Sequence, residues 1–299
     1  MQKCLMMLNS LNIFASALSC LDWSDGMIGV TGASGFIGGH LLTQLGDAGF
    51  GIDLRSLDTP DALAAHLLEN DCQTIVHLAG PLPGDYDADG VALRLAQRVV
   101  GAVSMLDECH IIFASSIRVH SRDEGVFSVD SVVAPFDSYG TGKAAAEMIL
   151  LGCADNTRPV TVLRISSVQG VGVNGRAQGL ISVFARQAAS GGPITIMGTG
   201  DSVKDLVNVE TVLDVIGECI LQPPSISPYS TIIPVGSGQS VTVGEVADAV
   251  RDCSGVDIVH IDADPNDLSG YVDSESANDE WLDIVETVWG AVKTEMGVA

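Results

Sequence analysis

Tyr139 and Lys143 stand four residues apart in Ser138-Tyr139-Gly140-Thr141-Gly142-Lys143, so on a helix the phenol and the ammonium share one face. Both residue types are scarce in this chain, which makes the pairing unlike an accident of composition. Upstream, the run Phe113-Ala114-Ser115-Ser116 ends an apolar strand and presents Ser116 at its carboxyl edge, where ligands sit in open parallel sheets. A third feature is Gly29-Val30-Thr31-Gly32-Ala33-Ser34-Gly35-Phe36-Ile37-Gly38, an apolar strand running into a glycine turn and then a helix. Gly32 permits the sharp turn, Gly35 lets backbone N–H groups approach a pyrophosphate, and Gly38 lets the helix pack on the strand. The helix N-terminus adds partial positive charge, so the loop reads as a cradle for the pyrophosphate of a nicotinamide dinucleotide. An ordinary tight strand-to-helix turn is the plainer alternative; the strand before it, the helix after it and the later motifs favour the cradle.

Positioning those groups requires a layered scaffold, and the hydropathy pattern supplies one. Short β-rich runs are expected at Met27-Thr31, Phe50-Leu54, Thr74-Ala79, Ile111-Ser115, Val160-Ile165, Ile194-Ile196 and Thr231-Val235. Helices are expected from Phe36 to about Gly46 and near Pro60-Glu69, Val91-Asp107, Ser138-Gly152, Gly179-Ser190, Val243-Cys253 and Trp281-Thr294. This βαβα order predicts an α/β fold: a Rossmann-type doubly wound parallel sheet with a smaller, interleaved C-terminal substrate lobe. The boundaries read as an N-terminal extension over residues 1–26, a dinucleotide-binding domain over 27–170, and a mainly substrate-binding lobe over 171–299 with segments returning to the first domain.

Bulk properties narrow the classes. A formal charge of -24 with 14 basic residues argues against nucleic-acid or anionic-membrane surfaces, which need clustered Lys and Arg. The excess of Asp over Glu suits a high-salt host, or equally genomic drift. Seven scattered cysteines, Cys4, Cys20, Cys72, Cys109, Cys153, Cys219 and Cys253, contain no C-x-x-C pair and read as reduced thiols in a cytoplasmic protein. Cys153 and Cys219 lie in helical apolar patterns as small hydrophobes, no cysteine is assigned a function, and no residue is assigned to a metal. The uncharged stretch Cys4 to Leu21 is long enough for a signal peptide or a membrane span. Asn9, Asn12, Ser16 and Ser19 recur on one helical face, however, which favours an amphipathic helix and no membrane span.

From about Met27 to Gly255 the chain resembles the extended short-chain dehydrogenase/reductase superfamily, and within it the NAD-dependent epimerase/dehydratase group acting on nucleotide sugars. The resemblance rests on the glycine loop, His77-Leu78-Ala79-Gly80, the Ser-Ser strand end, the Tyr-Lys pair, Leu163-Arg164, and Gly198-Thr199-Gly200-Asp201 followed by Lys204-Asp205. It implies that Gly32, Ser34, Gly35, Phe36, Ile37 and Gly38, with Leu78, Ala79 and Gly80, contact NAD or NADP. Tyr139 becomes the acid/base, its phenol pulled down by the Lys143 ammonium and the nicotinamide charge. Lys143 also holds the nicotinamide ribose, and Ser116 orients the reacting oxygen for hydride transfer at a sugar carbon. A small-molecule substrate, a nucleotide sugar, is implied, as is a homodimer.

Departures from the family pattern fall on the substrate side. Dehydrating members carry Thr-Asp-Glu at the strand end, whereas this chain has Ser116-Ile117-Arg118, which disfavours a 4,6-dehydratase. The usual following Tyr is His120, read as a polar pocket wall; the Asn of Leu-Arg-x-x-Asn is Ser167; and the Arg before the late Asp is Lys204. Ser116, Ser167 and Lys204 are the substrate-binding candidates, with Lys204 able to meet a diphosphate without arginine's bidentate fork, or to be a solvated loop lysine. Ile52-Asp53-Leu54-Arg55 merges two of the family's strands: Asp53 favours NAD, Arg55 favours NADP, and the preference stays open. The resulting reading is an NAD(P)-dependent epimerase or reductase of a nucleotide sugar. Its alternatives are a dehydrogenase of a free sugar or other small carbonyl compound, and a non-catalytic NAD(P)-sensing regulatory protein.

Overall fold

The computed structural model of the protein describes residues 26–85, 87–264, 267–273 and 280–298. The amphipathic helix expected within the first 25 residues lies outside them. The chain begins with β1 (Met27–Thr31), α1 (Phe36–Leu45), β2 (Gly49–Ile52), α2 (Pro60–Glu69), β3 (Cys72–His77), α3 (Ala88–Val103) and β4 (His110–Ser116). It continues through β5 (Gly125–Phe127), α4 (Ser138–Gly152), β6 (Val160–Ile165), β7 (Ser167–Val171), β8 (Ala177–Gln178) and α5 (Leu180–Ala189). Then follow β9 (Ile194–Met197), β10 (Val203–Lys204), β11 (Leu206–Asn208), α6 (Val209–Leu221) and β12 (Ser230–Val235). The last elements are β13 (Val241–Thr242), α7 (Val243–Ser254), β14 (Ile258–Ile261), β15 (Gly270–Val272) and α8 (Glu280–Met296). Two compact units result, the first holding residues up to Ser121, Val133–Arg164 and Leu213–Ile233, the second Arg122–Val132, Ile165–Val212 and Pro234 onward.

In the first unit a six-stranded parallel sheet runs in the order β12-β6-β4-β3-β1-β2. Strand β1 lies between β2 and β3, so the strand order reverses at its carboxyl end. Crevices of this kind are where open α/β sheets bind ligands, and both the glycine loop and His77-Leu78-Ala79-Gly80 begin there. The strands are apolar on both faces: Ile75 and Ile111 on one side, Val30, Val76 and Ile112 among the alternate positions, all fully buried. Leu63 and Leu67 of α2, Val99 of α3 and Ala146 and Leu150 of α4 share a single core with Ile75 and Ile111.

The helix starts are set locally. Thr59 accepts from the Ala62 N–H at 3.2 Å ahead of Pro60, and Asp137 accepts from the Gly140 N–H at 2.6 Å ahead of α4. Strand β2 ends at Ile52 rather than at the expected Leu54, because the Ser56 and Leu57 N–H groups both turn back to the Asp53 carbonyl at 3.1 Å. Helix α3 runs three to four residues earlier than Val91-Asp107 suggested, and α6 was not among the expected helices.

The second unit contains a three-stranded sheet, β11-β7-β8, the pairs β14-β9, β10-β13 and β15-β5, and a core formed by α5, α7 and α8 through Ile181, Phe184, Val246, Val250, Val288 and Val292. Buried Asp205 is its polar centre. The carboxylate accepts from Ser166 Oγ (3.1 Å), Ser237 N (2.7 Å) and Oγ (3.0 Å), Gly238 N (3.3 Å) and Val272 N (3.0 Å), so its lone pairs are met by protein donors.

The first unit's stability should depend on α4 packing. Leu150→Ala, at a fully buried position, should cost about 2–5 kcal/mol in urea unfolding; a loss below about 1 kcal/mol would mean that α4 is not seated in this core.

Candidate active site

The glycine loop is built for close approach. At Gly32 φ is +70°, and a Cβ there would lie 2.8 Å from the Ala79 nitrogen; a Cβ on Gly38 would lie 2.3 Å from the Gly32 carbonyl oxygen. Exposed Ser34 and Gly35 follow, and a Cβ on Gly35 would meet nothing but the Gly32 oxygen, at 3.0 Å. Helices α2, α4 and α7 are capped by Thr59, Asp137 and Thr242, whereas α1 has no side-chain cap and no acid in its first turn. Its leading N–H groups at Phe36, Ile37 and Gly38 therefore suit an anion, and the loop fits a dinucleotide pyrophosphate.

The loop is tied to the next strand end through one hydroxyl. Thr31 Oγ1 accepts from the Ala79 N–H at 3.1 Å and lies 2.7 Å from His77 Nδ1. Burial, reinforced by the Lys143 charge, pushes His77 down to about 3, so the ring is neutral and stacks on Phe113 with centroids 5.5 Å apart.

Helix α4 brings the Tyr-Lys pair to the end of β4. A Cβ on Gly140 would stand 2.2 Å from the Arg118 carbonyl oxygen, so the helix start presses directly on the segment after Ser116. Ser116, buried, lies close enough to Tyr139 to lower its phenol and accepts from the Arg118 N–H at 3.3 Å. Lys143 is also buried; its Nζ donates to the Ala114 carbonyl at 2.7 Å and lies 4.9 Å over the Phe113 ring. A Cβ on Gly80 would come 3.3 Å from that ammonium, so Gly80 leaves it open toward the strand end that follows His77.

Electrostatics alter one expectation. Burial pushes the Tyr139 phenol up, not down; Ser116 and the Arg118 charge lower it in part, while Asp137 raises it. The Lys143 Nζ stands 5.8 Å from the Tyr139 ring centroid and is turned to Ala114, which is why it does not dominate the phenol. Lys143 itself is lowered to about 8 by burial, with Glu147 opposing. Arg118 donates from Nε to Asp137 Oδ2 at 2.9 Å and pairs with the same oxygen through Nη2.

The remaining candidates are placed as follows. Asp53 and Arg55 pair with each other at 3.0 Å, both largely exposed, so the two opposing cofactor signals sit in one surface ion pair. His120, expected as a polar pocket wall, is fully buried and forms a backbone bridge with Val133. Ser167 and Lys204 belong to the second unit. Ser167 Oγ accepts from Gln169 Nε2 at 2.9 Å, and Lys204 Nζ bonds Asp267 Oδ1 at 2.5 Å and the Leu268 carbonyl, so this lysine is not a free solvated cation. Burial pushes Cys219 up to about 12, consistent with a packing role.

Sequence reasoning missed Glu147. It lies one turn beyond Lys143, accepts Ser115 Oγ at 2.5 Å, and forms a two-point ion pair with Arg164 at 3.1 and 2.8 Å. The signal was present as the next member of the same four-residue spacing.

A family model described as NAD dependent epimerase/dehydratase family matches residues 28–228. The chain is 28% identical to a UDP-glucose 4-epimerase of Azospirillum brasilense over 272 residues, 76% of this chain and 77% of the relative. It is 25% identical to a dTDP-4-dehydro-6-deoxyglucose reductase of Escherichia coli over 257 residues, 74% and 80% of the two chains. Among solved structures it is similar to MoeE5 in complex with UDP-glucose and NAD, at 25% identity and TM-score 0.73, covering 91% and 100%. It shares its fold with the UDP-glucuronic acid 4-epimerase from Bacillus cereus in complex with UDP-glucuronic acid and NAD, at 20% identity and TM-score 0.76, covering 90% and 99%. Among the described residues no helix is long and apolar enough to cross a membrane.

The Lys143 environment has a measurable signature. Between about pH 8 and the ordinary lysine value near 10.4, the unfolded chain holds a proton that the folded chain has released. Stability should therefore rise with pH across that window, by up to about 1.4 kcal/mol per pH unit, and Lys143→Met should abolish the rise in urea titrations; an identical slope in the variant would mean that Lys143 is not the group responsible.

Proposed function

Since the chain belongs to the NAD dependent epimerase/dehydratase family, we propose that it transfers hydride between a nicotinamide cofactor and a sugar carbon of a nucleotide sugar, as an epimerase or a ketone reductase. The observation that carries this reading is the convergence of Ser116, Tyr139 and Lys143 at one strand end, with Gly80 opening toward the ammonium. The relatives' names support the substrate class: a UDP-glucose 4-epimerase and a dTDP-4-dehydro-6-deoxyglucose reductase act on nucleotide sugars by name.

When bound, the nicotinamide supplies the hydride acceptor and donor. The glycine loop and the α1 N-terminus would hold the pyrophosphate, and Lys143 would donate to the adjoining ribose. For oxidation, Tyr139 as phenolate takes the hydroxyl proton while Ser116 Oγ holds the oxygen, and the carbon gives up its hydrogen with the bonding pair; reduction reverses each transfer. A positive neighbourhood is needed to offset the burial of the phenol, and Arg118 provides it.

The strand end Ser116-Ile117-Arg118 has no carboxylate where dehydration would use an acid and a base, and we therefore favour reactions that keep all the sugar oxygens. A tightly held cofactor distinguishes the two candidate reactions, because an epimerase must recover its own hydride. Protein purified without added nucleotide should, after denaturation, release near-stoichiometric NAD and interconvert UDP-glucose or UDP-glucuronic acid with its 4-epimer. Protein that emerges empty and oxidises NADPH with a keto-sugar nucleotide would instead be a reductase. In either case Tyr139→Phe should lower kcat by about 10²–10⁴-fold, and undiminished turnover by that variant would overturn the assignment.

A further inference from the structure

The last three residues of β4 are each engaged by one face of α4. Ser116 meets Tyr139, the Ala114 carbonyl accepts from Lys143 Nζ at 2.7 Å, and Ser115 Oγ donates to Glu147 Oε1 at 2.5 Å. Glu147, 3% exposed, is the innermost of the three helix groups, and its remaining capacity is taken by Arg164 at the end of β6: Nε to Oε1 at 3.1 Å and Nη2 to Oε2 at 2.8 Å. Both partners of that ion pair are buried to about the same depth.

Burying such a pair is costly, and well-packed apolar side chains of similar volume commonly hold a helix as well or better. Two things apolar packing does not supply are a fixed sliding position and a charge. The short bond to Ser115 and the two-point fork to Arg164 set how far α4 stands along β4 and β6, and hence where Tyr139 falls opposite Ser116. The carboxylate is also the anion one helical turn from the Lys143 ammonium. The other groups around that ammonium are the Phe113 ring and Ala114 carbonyl of β4, the neutral His77 of β3, and Tyr139 on its own helix.

We propose that Glu147 is a positioning residue for the Ser116, Tyr139 and Lys143 set, fixing the register of α4 on β4 through Ser115 and Arg164 and supplying the counter-charge for the buried Lys143. This rests on the hydride-transfer reading above. Burial alone drives Lys143 toward its neutral form, and Glu147 is what opposes it, so the residue acts on the ammonium that would hold the ribose and assist the phenol without touching either ligand.

The test reads Lys143 directly. The chain has four lysines, Lys3, Lys143, Lys204 and Lys293, so protein labelled with [ε-13C]lysine gives four resolvable methylene signals, and Lys143→Met assigns the one required. In Glu147→Gln the Lys143 midpoint should fall by on the order of one pH unit, with kcat for UDP-glucose or UDP-glucuronic acid epimerisation down about tenfold or more. Because that variant leaves Arg164 buried without its counter-charge, Glu147→Gln with Arg164→Gln restores a neutral hydrogen-bonded pair and should show the same fall in midpoint. Glu147→Asp keeps the charge but is one methylene too short to reach both partners, so the midpoint should stay and kcat should drop with KM unchanged. A Lys143 midpoint unmoved in the glutamine variants, or wild-type kcat in Glu147→Asp, overturns the proposal. Should the wild-type protein turn over no nucleotide sugar while the midpoint still falls in the glutamine variants, the hydride-transfer assignment fails and the counter-charge role of Glu147 stands.

Discussion

Helix α4 can lie against the segment that follows strand β4 because Gly140 carries no side chain, and against α3 because Gly142 carries none. A Cβ at the first would stand 2.2 Å from the Arg118 carbonyl oxygen, and one at the second 2.5 Å from the Asp89 Cα of α3. This contact distance is what lets a phenol and an ammonium one turn apart meet two neighbouring positions of a strand. The phenol reaches Ser116, and the ammonium, with the longer side chain, reaches back to the Ala114 carbonyl. The two glycines within Tyr139-Gly140-Thr141-Gly142-Lys143 are therefore as much a part of the geometry as the groups they flank.

A second constraint is electrostatic. The proposed ligand is a polyanion and the chain carries a formal charge of -24, so the global field opposes binding. Exposed charges act over roughly a Debye length, about 8–10 Å at physiological ionic strength and less in high salt, so local groups decide. Around the crevice at β1 and β3 those groups are the uncapped N-terminus of α1 and the Lys143 ammonium, with Arg118 nearby at the strand end. Four acids of this unit are neutralised by an arginine partner: Glu147 with Arg164, Asp137 with Arg118, Asp155 with Arg158 and Asp53 with Arg55. An acidic protein can in this way keep a locally positive site.

Much of this was legible because the relevant signals are local. Pro60–Glu69 and Ser138–Gly152 are helices with the residue bounds that the sequence pattern suggested, and β1 and β6 are bounded as their apolar runs are. The glycine loop and the Tyr-Lys spacing are likewise contained in a few consecutive residues. What was not legible depends on distant partners. Helix α6 is rich in Val and Ile, whose branching favours strands, and its identity as a helix is decided by burial at Val209, Val212, Leu213 and Ile216. The pairs β5 with β15 and β10 with β13 join segments of two or three residues far apart along the chain, with no pattern long enough to read. Glu147 escaped for a related reason: the spacing to Lys143 was visible, but its meaning required Ser115 and Arg164, which come from two other strands. Tyr139 shows the converse failure, since a charge four residues away suggested a lowered phenol and burial, a property of the folded state, outweighed it.

Arg118 brings these strands of argument together. It stands two residues after Ser116, where a carboxylate would serve elimination chemistry, and its guanidinium is held by Asp137 while packing 5.1 Å over the Phe136 ring. Asp137 is in turn occupied twice, by Arg118 on one oxygen and by the Gly140 N–H of α4 on the other. A carboxylate engaged in an ion pair and a helix cap is poorly suited to exchanging protons with a substrate, because either protonation or rotation would release the helix start that carries Tyr139. The charge beside the phenol is thus a fixed positive one, favouring the phenolate that proton abstraction requires. The position two residues after Ser116 therefore carries a fixed positive charge, set by the same carboxylate that caps the helix bearing Tyr139.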